Sequence, residues 1–305
     1  MTSTSRITEG MTANRLLVDL RRAGNAVDQS SSQISSGSRL LDAAVDPLAT
    51  HRSLRLRQDL SQVDAFRNNV TLATGWMEAT DEALGTITSQ IHRVRELTVQ
   101  GGNDAMTQSD RDALAEDVLN AISSVKLAAN ARYNDSYIFG GQITNAAPYD
   151  PTAAGPDTYN GDANAIVRSI SPGVSLQINV TGDTIIGNGA DGKLLNTLRD
   201  IYTALKGGTA ADLNALRSTA LQGLDTGLQD VLTARSTVGA GINRLEHATA
   251  TLDQQQLSVT KYLNDTESTD MTETILQLNS QKQVYNAAIQ VGSNLIQRSL
   301  MDFLR

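Results

Sequence analysis

The chain has 305 residues, a net charge of −8 and a pI near 4.9, with aromatics at only 4% and five prolines. The acidic balance, and the lack of any Lys/Arg cluster interleaved with aromatics, exclude a nucleic-acid protein. No cysteine is present, which removes disulfides, thiolate catalysis and Cys-ligated zinc together. Ala, Leu, Ser, Thr, Asn, Gln and Asp dominate, a composition suited to long helices packed through small side chains rather than to a deep pocket.

Met1 to Gly10 lacks the basic and apolar regions of a secretory signal, so a cleaved leader is not expected. The first helix is expected to start a little before Ala13, from Thr8 or Thr12. Its seam is Leu16, Leu20, Ala23, Val27, Ser30, Ile34 and Leu41, at near-heptad spacing. It weakens at Ser35-Ser36-Gly37. After a loop through Asp42–Asp46, Pro47 suits the first turn of a new helix. That helix is predicted from about Leu48 to Gln100, with Leu56, Leu60, Val63, Phe66, Val70, Met77, Leu84, Ile87, Ile91 and Val94 on its seam, and Gly101-Gly102 stops it. Thr107, with Asp110 three residues on, caps a third helix ending near Arg132.

The pattern then changes. Four of the five prolines lie between Tyr137 and Gly192, and turn residues are dense. Two alternating runs, Ala165–Ile170 and Val174–Val180, read as strands joined by Ser171-Pro172-Gly173. Helix resumes at Lys193–Lys206, breaks at Gly207-Gly208, and continues from about Ala210 to Leu263. After a break at Asn264–Thr269, Asp270 and Glu273 restart it. The final helix, Met271 to Arg305, carries Met271, Ile275, Leu278, Lys282, Tyr285, Ile289, Gly292, Ile296, Ser299 and Phe303 at alternating steps of four and three. Val284, Ala288, Val291 and Leu295 form a second row beside them. It would be roughly 50 Å long, and so apolar a helix needs partners along its length. No apolar run reaches the roughly 20 residues of a membrane span.

The fold class is therefore mainly α: long coiled-coil helices from both termini, with a small β domain inserted mid-chain. Such a palindromic order folds as a hairpin with the chain ends together.

Chemistry-bearing candidates are weak. His51, His92 and His247 have no second ligand at metal spacing. Gly239-x-Gly241 follows a helical seam, not a strand, and reads as close helix approach rather than a phosphate loop. Asp150, Asp157, Asn160, Asp162 and Asn164 crowd one region, but without the order of a calcium loop they read as turn chemistry. Asp81-Glu82 and Glu116-Asp117 point apart on their helices. No catalytic residue, metal ligand or cofactor is expected.

Several stretches are diagnostic. Gln33-Ile34-Ser35-Ser36-Gly37-Ser38-Arg39-Leu40 resembles the Leu-Ser-Ser-Gly-x-Arg mark of the flagellin N-terminal region, with Ile34 for Leu. Gln90–Gln100, containing Arg93-Val94-Arg95-Glu96-Leu97, is similar to a flagellin helix of that composition. Arg235–Glu246 resembles the matching C-terminal segment. The chain is thereby identified as a member of the flagellin family. Asn134–Gly141 and Tyr159-Asn160-Gly161-Asp162 select, within the family, the member at the hook–filament junction; a short flagellin building the filament itself is the alternative.

The resemblance implies a structural, non-enzymatic role outside the cell in the bacterial flagellum, after type III export without a cleaved signal. It implies terminal helices, 1–41 plus 270–305, forming an inner tube; a helical rod, 42–138 plus 193–269; and an inserted β domain, 139–192. Expected partners are further copies of the chain, hook-associated protein 1, flagellin and an export chaperone. The residues expected to serve assembly are Leu16, Leu20, Val27, Ile34, Ile275, Leu278, Tyr285, Ile289, Val291, Leu295, Ile296 and Phe303. Arg93, Arg95, Glu96, Asn243 and Arg244 are expected at rod contacts between subunits.

Overall fold

A computed structural model describes residues 9–40, 44, 46–150 and 157–303. The element order is α1 (Glu9–Ser36), α2 (Pro47–Gly101), α3 (Gln108–Ala129), β1 (Arg132–Tyr133), β2 (Ser136–Tyr137), β3 (Val167–Ser171), β4 (Val174–Gln177), α4 (Gly182–Ile185), α5 (Leu194–Gly207), α6 (Ala210–Ala215), a π-helical turn (Leu216–Ala220), α7 (Leu221–Glu267) and α8 (Met271–Phe303). The chain is mainly α, as its periodicity predicts. It divides into two compact units: Met1–Gln62 with Gln255–Arg305, and Val63–Gln254.

The helix boundaries follow from local chemistry. Asp46 accepts a hydrogen bond from the Ala49 N–H at 2.9 Å and caps α2, with Pro47 in its first turn. At the other end the last carbonyls of α2 meet two guanidinium groups. Arg111 donates to Gly101 O at 3.2 Å and Arg217 to Gly102 O at 2.7 Å. Cations there suit the negative end of the helix dipole. Thr107 and Asp110 form a reciprocal capping box on α3, and Thr209 and Asp212 form another on α6. Gly208 ends α5 in the left-handed conformation, φ +62°. The single helix expected from Ala210 to Leu263 is instead α6 and α7 with the π turn between them; that turn carries Arg217, whose guanidinium reaches Gly102 and Asp104.

In the unit Val63–Gln254 there is one apolar core. Leu84, Ile87, Ile91 and Val94 of α2 share it with Val118, Ile122 and Val125 of α3, Leu194, Leu195, Leu198 and Ile201 of α5, and Val231 and Val238 of α7. The β region contributes Ile138, Phe139, Tyr149, Ile170, Ile178, Ile185 and Ile186 to the same core. Each such side chain is worth about 1.5–3 kcal/mol on burial. The β structure is two separate hairpins. β1 and β2 pair across Asn134 and Asp135, both at positive φ (45° and 62°), the geometry of a tight two-residue hairpin turn. β3 and β4 pair Val167 with Gln177 and Arg168 with Leu176, with a bulge between Ser169 and Ser171. These strands are shorter than the alternation predicts. The Ile166 N–H donates to the Asn179 side chain at 2.7 Å, and the Asn179 amide donates to Asn164 O at 2.9 Å, so a side chain closes the ladder.

The oxygen-rich stretch resolves into internal bonding. Asp162 accepts from the N–H groups of Gln142 and Asn164 at 2.7 and 3.1 Å, turn chemistry as its composition suggests. Asp157 does something its sequence context did not announce. It is 2% exposed, and its carboxylate is held by the buried Lys126 ammonium and by a bidentate Arg199 fork, both bonds 2.9 Å. Burial alone would raise the Asp157 carboxyl; the hydrogen bonds and charges of Arg199 and Lys126 outweigh it and hold it below the ordinary value of 3.8.

A depressed carboxyl binds its proton more weakly folded than unfolded. Its stabilisation is therefore present above pH 3.8 and lost as the pH falls through the lower folded value. We expect Asp157→Asn to destabilise this unit by about 3–5 kcal/mol at neutral pH, because it leaves buried cations facing a neutral amide. Urea denaturation at a series of pH values should show both that loss and a flatter acid dependence than in the parent chain.

Candidate assembly surface

The unit Met1–Gln62 with Gln255–Arg305 is built on different terms. Its central feature is α1 running antiparallel against α8. Gly292 lies against Leu16, Gly24 against Tyr285, and Ser30 donates a hydrogen bond to Gln281 at 2.7 Å. The buried or half-buried row of α8 is Thr274, Leu278, Gln281, Tyr285, Ala288 and Gly292, at steps of four and three. It faces Leu16, Leu20, Ala23, Val27, Ser30 and Ile34, all half-buried or buried. The seam is narrow and rich in small and polar residues.

The predicted assembly positions therefore separate into two sets. Leu16, Leu20, Val27, Ile34, Leu278 and Tyr285 lie along the α1–α8 seam, none of them exposed. Ile275, Ile289 and Val291 are exposed, at 45, 44 and 54%. Leu295, Ile296 and Phe303 lie on the helical backbone of α8, outside the side chains that the structure describes. The outward set is enlarged by Leu276 and Val284 of α8 and by Leu17 and Val18 of α1. In this unit the buried residues include Ser30, Ser53, Thr266, Thr274, Ala49, Val259 and Gly292, while the large apolar side chains just named face out.

Where α1 ends and α8 begins, the two termini are tied together. Gly37, at φ +68°, turns the chain out of α1. Ser38 then pairs with Ser268 as an antiparallel bridge, flanked by Arg39 N–H to Glu267 O at 2.8 Å and Thr269 N–H to Gly37 O at 3.2 Å. Asp270 caps α8 through the N–H groups of Thr272 and Glu273, at 2.9 and 3.1 Å. The Glu267 carboxylate reaches back to α2, accepting Arg57 Nε and Nη2 at 2.8 and 2.9 Å and the Ser53 hydroxyl. The Arg57 hydrogen bonds hold this carboxyl below its usual range. The sequence shows the Ser-Ser-Gly stop, but the break expected at Asn264–Thr269 is shorter, since α7 continues to Glu267, and the partnership of the two sites is not visible in it. Arg57 and Glu267 are 210 residues apart, and no local pattern links them.

In the unit Val63–Gln254 the predicted rod contacts lie on exposed helix flanks. Arg93 pairs with Glu96 at 3.5 Å and Asp117 at 3.7 Å, and Arg95 with Asp225. Asn243 and Arg244 are exposed on α7. Exposed pairs of this kind contribute little to stability. Among the described residues, no group of three or more His, Asp or Glu side chains could hold a metal, and no helix is long and apolar enough to cross a membrane.

The bacterial flagellin N-terminal helical region matches residues 7–144, and the bacterial flagellin C-terminal helical region matches residues 221–304. The chain belongs to the flagellin family. Among family members, the flagellar hook-associated protein 3 of Escherichia coli (strain K12) is 27% identical over 263 residues, covering 80% of this chain and 82% of its own length. A flagellin of Listeria innocua is 23% identical over 288 residues, 92% of each chain. In structure, the flagellar junction protein FlgL of Legionella pneumophila superposes with a TM-score of 0.54 at 16% identity, covering 63% of this chain and 98% of its own. That likeness establishes a shared fold.

The flagellin-like segment Arg235–Glu246 also offers a packing test. A Cβ on Gly241 would meet Met77 at 2.7 Å, whereas one on Gly239 meets nothing within 4 Å. Gly239→Ala should therefore stabilise by about 0.5–1 kcal/mol through helix propensity. Gly241→Ala should forfeit that gain or lose stability, and paired thermal melts would show the two variants moving apart.

Proposed function

We propose that this chain is a structural protein of the bacterial flagellum that joins the hook to the flagellin filament by self-association. The observation that carries the reading is the second apolar row of the terminal unit: Ile275, Leu276, Val284, Ile289 and Val291 face out while the α1–α8 seam occupies the other face of α8. A helix pair that leaves such residues in water is completed by other chains. The names of its relatives supply the setting: the flagellar hook-associated protein 3 of Escherichia coli and the flagellar junction protein of Legionella pneumophila.

On this reading the terminal segments, 1–41 plus 270–305, line an inner tube of subunits. Helices within 42–138 and 193–269 make lateral contacts through Arg93, Arg95, Glu96, Asn243 and Arg244, exchanging exposed intrachain ion pairs for contacts between copies. Leu295, Ile296 and Phe303 of the last turns of α8 take part in the same assembly contacts. Hook-associated protein 1 lies on one side of the layer and flagellin on the other, and an export chaperone covers the apolar rows beforehand. Export proceeds through the flagellar type III apparatus without a cleaved signal. The role is assembly rather than catalysis.

The match to a Listeria flagellin over 92% of each chain favours a second reading, a short flagellin that forms the filament itself. The two separate by position: a labelled chain should decorate only the filament base if it is a junction and the whole filament if it is flagellin. Deleting residues 271–305 should leave the Val63–Gln254 core folded, with cooperative melting retained, yet abolish self-association and filament attachment. Normal attachment by the truncated chain would refute the assembly role of α8.

A further inference from the structure

Within the unit Val63–Gln254, α7 and the chain leaving β4 do not close on each other. A groove of about 740 Å³ runs between them, with Met77 of α2 in its lining. One wall is a helix face: Asp230, Ala234, Val238, Gly241 and Arg244 recur at steps of three and four. The other wall is Leu176 to Thr181, six consecutive residues. A strand seen from one face contributes every second residue. An unbroken run means that the groove meets this segment along its edge. That edge is open, for among the described residues β4 pairs with β3 alone. The Ile178 N–H donates to Ile166 O at 2.9 Å, and Val167 stands opposite Gln177. In an antiparallel ladder of that phase the N–H and C=O of Gln177 point away from β3. Beside them, Gln177 Nε2 donates to Asn179 O at 3.1 Å, a side-chain amide serving this edge as the N–H of a further strand would.

Opposite charges bound the helix wall. Asp230 and Arg244 are the first and last residues of α7 in the groove, fourteen positions apart. That is roughly 21 Å along a helix, a distance an extended chain covers in about six residues. Neither forms an ion pair among the described residues. An open strand edge is satisfied by a series of backbone groups, which a small molecule or a helix does not offer. We propose that this groove takes an extended peptide segment of a partner protein as a third strand on β4. Small apolar side chains at alternate positions of that peptide turn in toward Met77 and Val238, a basic group meets Asp230 and an acidic group meets Arg244. Leu176 and Val180, half-buried in the free chain, are covered in the same step. Every residue of the groove belongs to the unit Val63–Gln254, so the proposal does not depend on the terminal helices or on the assembly role given to them.

The test pans a phage library of randomised peptides, about seven residues long, on the full chain. The same library is panned on Thr237→Trp, which fills the groove from an exposed position on α7 and should melt like the parent. We expect sequences enriched on the parent alone, with small or β-branched residues at alternate positions and opposite charges at the two ends. An enriched peptide is then synthesised, labelled, and titrated with dilute chain by fluorescence polarisation. N-methylation of every second peptide nitrogen should abolish binding in one of the two phases and spare it in the other, as strand pairing requires. Arg244→Glu should weaken binding about three- to tenfold, and a lysine in place of the peptide's acidic end should recover it. No enrichment over Thr237→Trp, indifference to N-methylation in both phases, or a charge preference that does not follow Arg244→Glu would overturn the proposal. Displacement of the peptide by excess unlabelled chain would assign the groove to a second copy and overturn the choice of partner.

Discussion

The antiparallel seam between α1 and α8 is the constraint on which the terminal unit rests. Its contacts are Gly292 on Leu16, Gly24 on Tyr285, and the Ser30–Gln281 hydrogen bond. Small residues let two helices approach closely but bury little apolar area. Such a seam positions more than it stabilises. The consequence is an economy of apolar surface: the residues with the most to gain from leaving water, such as Leu276, Val284 and Val291, are kept on the outside.

The other unit is arranged the opposite way. Its helices and both hairpins close over one continuous core, with Phe139, Tyr149 and Ile186 fully buried beside Leu194 and Leu198. In the same unit the buried Asp157 bonds both the buried Lys126 and the half-buried Arg199. Tyr159, whose hydroxyl donates to Phe139 O, is pushed up to about 12 by burial and by nearby carboxylates, and stays a neutral donor through the physiological range. This unit has no need of a partner to be folded.

Much of this was legible in the sequence. Period and capping chemistry placed α2, α3, α5 and α8 within a few residues, because Pro47, Thr107 with Asp110, Gly208 and Asp270 act on their own neighbours. What escaped depended on distance along the chain. The phase of α8 could not be read from its own apolar pattern, since its inward row includes Thr274 and Gln281, chosen by what α1 presents opposite them. The hidden role of Asp157 depends on Lys126 and Arg199, 31 and 42 residues away. The π turn interrupts a helix whose sequence shows no break, and the Arg57–Glu267 pair spans most of the chain. The resemblance to flagellins pointed to the right family through local strings such as Arg93-Val94-Arg95-Glu96-Leu97, which helical propensity alone does not interpret.

The Ser30–Gln281 bond has one further consequence. A polar pair inside a seam of small and apolar residues works as a vernier: slipping α8 by one heptad would set Thr274 or Ala288 opposite Ser30 and forfeit the hydroxyl–amide match. The stagger of one chain end against the other is thereby single-valued. The two ends of the chain then present one composite stripe of fixed stagger, drawn from α1 and α8 together, whose register is set by a hydroxyl and an amide.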